Sequence, residues 1–303
     1  MTSLKAVPGF NPISIEPARS ARSVAGPLLV LVLAPMLAVP ALAQEPQELV
    51  SLINDFRSAD EACGGGDGQP IGPLAPNKAL SVQPAASGTQ LQEALQASGY
   101  RPAKLQAMSV SGPADAQSAM QALKQRYCEP LRSQDFAEIG VSRKGNTWQV
   151  LLARPLLSPD LGDWQQVGKN ILERVNEARA EPRTCGSRSF DAAPALTWNA
   201  KLGGAALAHS RDMAEQNYFS HHAPDGSQVS DRANRAGYSW QRIGENIAAG
   251  QGSEEQVMAG WLASPGHCSN IMNPDFTEMG AAYAMDKSSA AGSYWTQVFG
   301  KPR

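Results

Sequence analysis

The chain has 303 residues, of which 42% are hydrophobic and 18% are charged, a composition typical of globular proteins. A protein of this length is expected to hold two domains. The net charge of −2 argues against a nucleic-acid-binding protein, because proteins that neutralise phosphates carry a clear basic excess.

A secretory signal peptide is predicted over residues 1–43. The apolar run Val24–Val39 follows a basic stretch and precedes the small-residue sequence Ala41–Ala43, as signal peptides do. The alternative is a transmembrane anchor, but the run is short for a bilayer span and contains two prolines. We therefore expect cleavage before Gln44, a secreted or periplasmic protein, and no membrane span after cleavage.

The rest of the chain repeats itself. Residues 52–80 align with residues 174–202 at a constant offset of 122, and residues 128–140 align with residues 268–280 at an offset of 140. The alternative is chance similarity between two amphipathic stretches. Chance does not readily keep one offset across cysteine, asparagine, arginine and leucine positions, so we interpret the two stretches as copies of one domain.

The repeat defines the predicted domains. The first copy is expected over residues 44–158 and the second over residues 164–303, with a linker near Pro155–Asp160, where prolines and a glycine cluster. The offset grows by 18, so the first copy is expected to lack a segment of the second, roughly His209–Pro224.

The four cysteines are predicted to form two disulfides. Export places the chain in an oxidising compartment, where an even number of cysteines indicates bridges. Four cysteines allow three pairings. The repeat favours Cys63 with Cys128 and Cys185 with Cys268, because each copy then contains an equivalent pair.

The pattern of the second copy predicts an α+β fold. Helical stripes of apolar residues come first, alternating strand patterns come last, and helices are therefore expected to pack on a small antiparallel sheet. Helices are expected over residues 164–178, 199–213 and 227–236 and from Ser253 to a stop at Ser264–Gly266; strands are expected over residues 279–285 and 294–299.

The groups capable of chemistry cluster in the second copy. It contains all four histidines of the chain, His209, His221, His222 and His267, and Glu245 lies within an apolar run. Buried carboxylates need partners, and histidine with glutamate can share protons or bind a divalent metal. Each group also has a structural interpretation: His209 as a core histidine, His222 as part of a turn, His267 as a loop cap and Glu245 as a carboxylate that binds backbone amides.

At these residues the sequence resembles the CAP superfamily, which includes the cysteine-rich secretory proteins, antigen 5 and the pathogenesis-related class 1 proteins and is also known as the SCP domain. The resemblance is to its bacterial branch and runs from about Trp164 to Gly300. It implies an α-β-α sandwich, and the first copy is similar to a degenerate version of the same domain. The matching blocks include Leu196–Asn199, His209–Met213, Tyr218–His221, Gly244–Ala248, Trp261–His267 and Tyr294–Phe299.

Only part of the family's metal site carries over. Many eukaryotic members line a cleft with two histidines and two glutamates. Glu245 matches one glutamate, and either His221 or His222 matches one histidine; Ser264 and Tyr294 occupy the other two places. The resemblance implies that His209 and His267 could complete the set. The first copy has no histidine.

The sequence favours a non-enzymatic binding module over an enzyme. Its cleft, lined by histidines and Glu245, would hold a lipid, a glycan or a peptide. The binding candidates are His209, His221, His222, Glu245, His267 and Tyr294. One alternative is a metal-assisted hydrolase that uses His221, Glu245 and a divalent metal; another is an envelope interaction protein with a vestigial cleft. No G-x-S-x-G or H-E-x-x-H motif is present.

Overall fold

The computed structural model describes residues 41–65, 68–84, 88–158 and 160–303. These residues belong to one compact unit. The predicted signal peptide lies outside them except for its last three residues, which are part of the first helix. Among the described residues, no helix combines the length and the apolar character that crossing a bilayer requires.

The N-terminal half, residues 41–158, contains three helices and a four-stranded sheet. Leu49, Ile53 and Phe56 form the buried stripe of α1, and Asp115 caps α3 by accepting a hydrogen bond from the amide of Ser118. The elements are α1 (Ala41–Ser58), β1 (Ala75–Pro76), a one-turn 3₁₀ helix (Lys78–Leu80), α2 (Gly88–Ala97), β2 (Lys104–Ser111), α3 (Ala116–Leu131), β3 (Glu138–Lys144) and β4 (Thr147–Arg154).

The C-terminal half, residues 160–303, contains five helices, a four-stranded sheet and a hairpin. Asn199 caps α5 through the amides of Lys201 and Leu202, and Gly237, at φ 78°, follows the end of α6. The elements are α4 (Trp164–Arg179), β5 (Arg183–Cys185), β6 (Arg188–Phe190), β7 (Thr197–Trp198), α5 (Ala200–Gln216), α6 (Val229–Arg235), β8 (Trp240–Ala249), α7 (Glu254–Leu262), α8 (Pro265–Met272), β9 (Glu278–Met285) and β10 (Ser293–Pro302).

The C-terminal half is the α-β-α sandwich that the sequence predicts. Its sheet has the order β7-β9-β10-β8, and successive residues of each strand point to opposite faces. Ala282 and Val298 pack with α5 and α6 on one face, whereas Ala281 and Phe299 pack with α4, α7 and α8 on the other. Strand β8 lies at an edge of the sheet, next to both helical layers.

Three details differ from the sequence prediction. The segment around Glu245 is strand β8, which the apolar run alone did not identify. The helix predicted from Ser253 does end before Gly266, at Leu262, but Pro265 then begins a further helix, α8, which the sequence did not predict; proline is tolerated there because the first amide of a helix has no partner within the helix. The sheet is not purely antiparallel, since the short β7 pairs with β9 in parallel.

The two halves share their sheet topology. The N-terminal sheet has the order β1-β3-β4-β2, with β1 parallel to β3 and the other neighbours antiparallel, as in the C-terminal sheet. Asn54 exchanges two hydrogen bonds with the backbone of Leu74, and Asn176 does the same with Leu196. The origin of the first half as a degenerate copy stays a prediction, which these contacts support.

Both predicted disulfides are confirmed. Cys63 is bonded to Cys128 and Cys185 to Cys268, so each bridge closes within its own half. The disulfides are typical of a protein exported to an oxidising compartment.

The halves pack against each other along a seam. Gln251, fully buried, donates to the carbonyl of Pro73 across the seam at 2.8 Å, and Asn54 donates to the carbonyl of Ala263 at 3.3 Å. Residues 155–158 contain no helix or strand, in agreement with the expected linker. The division into two domains nevertheless stays a prediction, because the contacts join all the described residues into one unit.

Candidate functional site

A buried carboxylate forms the centre of the site. Glu245 points from β8 toward the layer of α5 and α6, and its side chain is 2% exposed. His221, in the loop between these helices, places Nδ1 2.8 Å from Glu245 Oε1. Arg232, on α6, donates from Nη2 to Glu245 Oε2 at 2.7 Å. Both carboxylate oxygens are therefore engaged.

His209 lies behind this pair. Its Nε2 is 3.9 Å from Glu245 Oε1, but it hydrogen bonds to the carbonyl of Ser220 at 3.0 Å, so Nε2 carries the proton and donates. Nδ1 is buried and has no hydrogen-bond partner among the described residues. His209 thus serves as a core histidine that positions the loop leading to His221.

The charges of the site follow from burial and pairing. Burial lowers the pKa of His209 to about 4, although Glu245 opposes this shift, so the ring is neutral at pH 7. Burial alone would raise the pKa of Glu245, but the hydrogen bond from His221 and the charge of Arg232 outweigh it and hold that pKa below its usual value. Glu245 is accordingly an anion beside the buried cation of Arg232.

His267 approaches from the opposite helical layer. It lies on α8 and its Nδ1 is 2.8 Å from the hydroxyl of Ser264. Burial, and then the charge of His221, lower the pKa of His267. Asn246, the residue after the central carboxylate, donates to the carbonyl of His267 at 3.2 Å. His267 therefore flanks the site at the edge of β8 and does not contact the carboxylate directly.

The remaining two predicted binding residues make other contacts. The hydroxyl of Tyr294 lies 3.3 Å from Asn217 Oδ1, and its ring packs with Met213 and Ile247 in the core. His222 is exposed and follows His221, the histidine that contacts the carboxylate. The sequence left the choice between these two histidines open, and the geometry places His221 in the site.

Arg232 is the residue that the sequence analysis missed. It is 8% exposed, and besides Glu245 it binds the carbonyls of Ser227 and His221. Its signal was present in the sequence: Val229, Arg232 and Ala233 follow the i, i+3, i+4 spacing of a buried helical face, which leaves an arginine facing the core.

The donor set does not fit a divalent metal. No group of three histidine, cysteine, aspartate or glutamate side chains suited to a metal ion occurs in the part of the chain that the structure describes. The two predicted ligands, His221 and Glu245, hydrogen bond to each other, and the guanidinium of Arg232 occupies the second carboxylate oxygen. A metal cation there would be repelled by the guanidinium of Arg232.

A cavity of about 560 Å³ adjoins the site, within the size range of small-molecule sites. His209 and Arg232 line it, and Asp212, Asp225 and Arg235 contribute charges of both signs. The lining therefore combines hydrogen-bonding groups with small apolar side chains.

Comparisons with known proteins match the C-terminal half. Residues 172–299 match the family model described as CAP, the cysteine-rich secretory protein family. Two relatives come from Bacillus subtilis strain 168: the uncharacterized protein YkwD, 42% identical over 98 residues, and the uncharacterized membrane protein YlbC, 35% identical over 104 residues. The first match covers 32% of this chain and 36% of YkwD; the second covers 34% of this chain and 28% of YlbC.

Among solved structures, an extracellular protein with an SCP domain from Bacillus anthracis strain Ames is 27% identical, with 52% of each chain covered and a TM-score of 0.39. Residues 172–299 therefore form a CAP domain, the domain of the cysteine-rich secretory protein family.

Proposed function

We propose that this protein is a secreted, non-enzymatic binding module whose ligand contacts His221, which lies against Arg232, a residue that lines the 560 Å³ cavity. The observation that carries the proposal is the engagement of Glu245 on both oxygens, by His221 and by the buried Arg232. A carboxylate held in this way is a poor general base, because proton uptake would leave the arginine without its anion.

His221 is the accessible member of the site. Its side chain is 45% exposed, against 2% for Glu245 and 7% for Arg232. With Nδ1 held by the carboxylate, the outer nitrogen Nε2 is available to a ligand. The buried pair thus orients the imidazole, as a second partner commonly does for a functional histidine.

The ligand that fits the cavity best is a glycan or a peptide. The charges of Asp212, Asp225 and Arg235 suit a ligand with many hydrogen-bonding groups, whereas a lipid tail would take them out of water without offering a hydrogen bond in return. The two disulfides agree with a site of action outside the cytoplasm. We place the protein in the cell envelope or the medium.

The experiment is a titration of the exported protein, labelled with ¹⁵N on its histidines, with two probes: an N-acetylglucosamine tetramer and a mixture of hexapeptides. We expect one probe to shift the His221 Nε2 resonance saturably and His221→Gln to abolish this binding. His222→Gln is the matched control, because that neighbouring ring is exposed and should not matter.

Two outcomes would overturn the proposal. If neither probe shifts His221, or if both histidine variants bind equally well, the cleft is not the binding site. The hypothesis of an envelope interaction protein with a vestigial cleft then replaces the proposal. If a probe is cleaved at a rate proportional to protein concentration and His221→Gln stops the cleavage, the protein is a hydrolase and not a binding module.

A further inference from the structure

Two cavities adjoin each other on the seam between the two halves. The larger has a volume of about 1120 Å³ and the smaller a volume of about 480 Å³, sizes that accommodate small ligands. Helix α1 of the N-terminal half and the β5–β6 hairpin of the C-terminal half line both cavities. We call the two together the seam groove, because they share the lining residues Gln47, Ser51, Thr184 and Gly186.

Strand β5 has an unpaired edge and borders the seam groove. It pairs with β6 alone, in a sheet of two strands, and its residues Arg183, Thr184 and Cys185 all line the groove. Outside that pairing, no backbone hydrogen bond joins residues 183–185 to another described residue. A strand edge of this kind offers backbone donors and acceptors to an added strand, and extended peptides bind to such edges.

Arg183, the first residue of β5, lacks an acceptor. It shares a face of the strand with the buried Cys185, and its Nε is buried without a hydrogen-bond partner in the described part of the chain. No ion pair there involves Arg183 or Lys78, which also lines the smaller cavity. Leaving a charged donor unpaired costs free energy that a carboxylate would recover, and no aspartate or glutamate lines this cavity.

The larger cavity carries mostly the opposite charge. Glu48 and Asp55 line it from one face of α1, two turns apart. Neither forms an ion pair with a described residue, and Glu48 accepts only a long hydrogen bond from Gln117, at 3.5 Å. Arg188 lines the same cavity, but its guanidinium lies over the ring of Phe190, 5.0 Å from the ring centre.

These charges match the polarity of a peptide that pairs with β5. Arg183, at the start of the strand, lines only the smaller cavity, whereas Cys185, at its end, lines only the larger one. A strand antiparallel to β5 therefore brings its C-terminal end to Arg183 and its N-terminal end toward Glu48 and Asp55. A peptide with free termini is negative at the first of these ends and positive at the second.

We propose that the seam groove binds a short peptide with free termini as an extended strand antiparallel to β5, with its carboxylate on Arg183 and its amino group near Glu48. The three residues of β5 span about 10 Å, which a peptide of about four residues covers. The groove shares no residue with the cavity beside His221 and Glu245, so this proposal does not depend on the function proposed above.

The test is a titration of the exported protein, labelled with ¹⁵N on its arginine side chains, with tetra-alanine, its C-terminal amide and its N-acetylated form. We expect tetra-alanine to shift the Arg183 Nε resonance saturably and the amide to bind about tenfold more weakly, the effect of losing a charged hydrogen bond. The acetylated form should lose less, because Glu48 is exposed. Tetra-alanine methylated on its backbone amides should not bind, because it cannot donate to β5.

Two variants assign the ends of the peptide. Arg183→Gln should remove the preference for tetra-alanine over its amide, and Glu48→Gln should remove the preference over the acetylated form. Arg188→Gln is the matched control, since Arg188 lies on the same hairpin and is exposed; this variant should keep the preference for the free carboxylate.

Four results would overturn the proposal: no probe shifts Arg183, the free and capped peptides bind equally, acetate alone binds as tightly as tetra-alanine, or Arg188→Gln rather than Arg183→Gln removes the preference for the carboxylate. If Arg183→Gln fails to fold, Glu48→Gln and the methylated peptide keep the test decisive. An unchanged preference in that variant, or full affinity for that peptide, also overturns the proposal.

Discussion

Arg57, in the N-terminal half, and Arg179, in the C-terminal half, make equivalent sets of four hydrogen bonds. Each guanidinium is fully buried and donates to four backbone carbonyls. These bonds tie the end of α1 or α4 to the segment that precedes β3 or β9. Burial lowers the pKa of Arg57 to about 9 and that of Arg179 to about 10, so both remain charged at pH 7. The acceptors are Gly72, Leu131, Ser133 and Phe136 for Arg57 and Pro194, Ile271, Asn273 and Phe276 for Arg179.

The first prediction follows from this pair. Arg57→Met and Arg179→Met should each lower the free energy of unfolding by about 3 kcal/mol or more, because several buried carbonyls lose their donor at once. Urea unfolding monitored by circular dichroism measures the change. Arg174→Met is the control: this arginine is half-exposed and pairs with the exposed Glu255, so we expect less than about 1 kcal/mol. Equal losses in all three variants would contradict the prediction.

The second prediction concerns two glycines at equivalent places. A Cβ on Gly140 would lie 2.2 Å from the carbonyl carbon of Leu80, and a Cβ on Gly280 would lie 2.0 Å from the amide nitrogen of Gly203. Backbone atoms cannot yield as a flexible side chain can. Gly140→Ala and Gly280→Ala should therefore each destabilise the protein by roughly 1–3 kcal/mol or more, as measured by urea unfolding. Gly204→Ala, which meets nothing within 4 Å, should be neutral or stabilising.

The third prediction is a loss of stability in acid. The pKa of His209 is about 4 in the folded protein and about 6.5 in an unfolded chain, so between these values unfolding takes up a proton. The stability due to neutral His209 is present above about pH 6.5 and is lost as the pH falls toward 4. We expect the free energy of unfolding to drop by about 2 kcal/mol between pH 7 and pH 5 from this residue alone.

Urea unfolding at both pH values checks this prediction. His209→Gln should reduce the pH dependence without abolishing it, because the pKa of buried His267 is lowered as well, whereas His222→Gln should leave it unchanged. Glu245 has little effect between these pH values. Because its pKa is lowered in the folded protein, the stability due to its ionised form is lost only as the pH falls below the usual pKa of a glutamate. A wild-type stability equal at pH 7 and pH 5 would disprove the assignment.

The fourth prediction concerns the central ion pair. Glu245→Gln leaves the guanidinium of Arg232 buried without an anion, and breaking a buried pair from one side costs about 3–5 kcal/mol. The double variant Glu245→Gln with Arg232→Met should recover part of that loss. Thermal unfolding of the single and double variants compares them, and additive losses would show that the two side chains do not act as a pair.

The sequence predicted those parts of the fold that depend on local pattern or on the repeat. Helix caps such as Asn199 follow from short-range rules, and the pairing of Cys185 with Cys268 follows from comparing the two copies. Strand β8 escaped prediction because its outer residues Trp240–Arg242 are partly or wholly exposed while Ile247–Ala248 are buried, so no single period-two pattern runs through it.

The site was predicted in part for a similar reason. Composition singled out the histidines and Glu245, and a buried carboxylate among apolar residues called for a partner. Which partner it would have depends on tertiary contacts: Arg232 comes from α6, and His267 comes from the opposite layer. Glu245 faces the layer that contains Arg232 because of the face of β8 that it occupies, and no local sequence pattern reports that face.

The position of the two disulfides has a consequence for how the protein comes apart. Each bridge closes within its own half, so no covalent link other than the backbone near residues 155–158 crosses the seam. A protease that cuts there would release two fragments that migrate separately in a denaturing gel even without reductant. In native buffer the same cut would go unnoticed, because the buried hydrogen bond from Gln251 to Pro73 and the contacts around it would keep the fragments together.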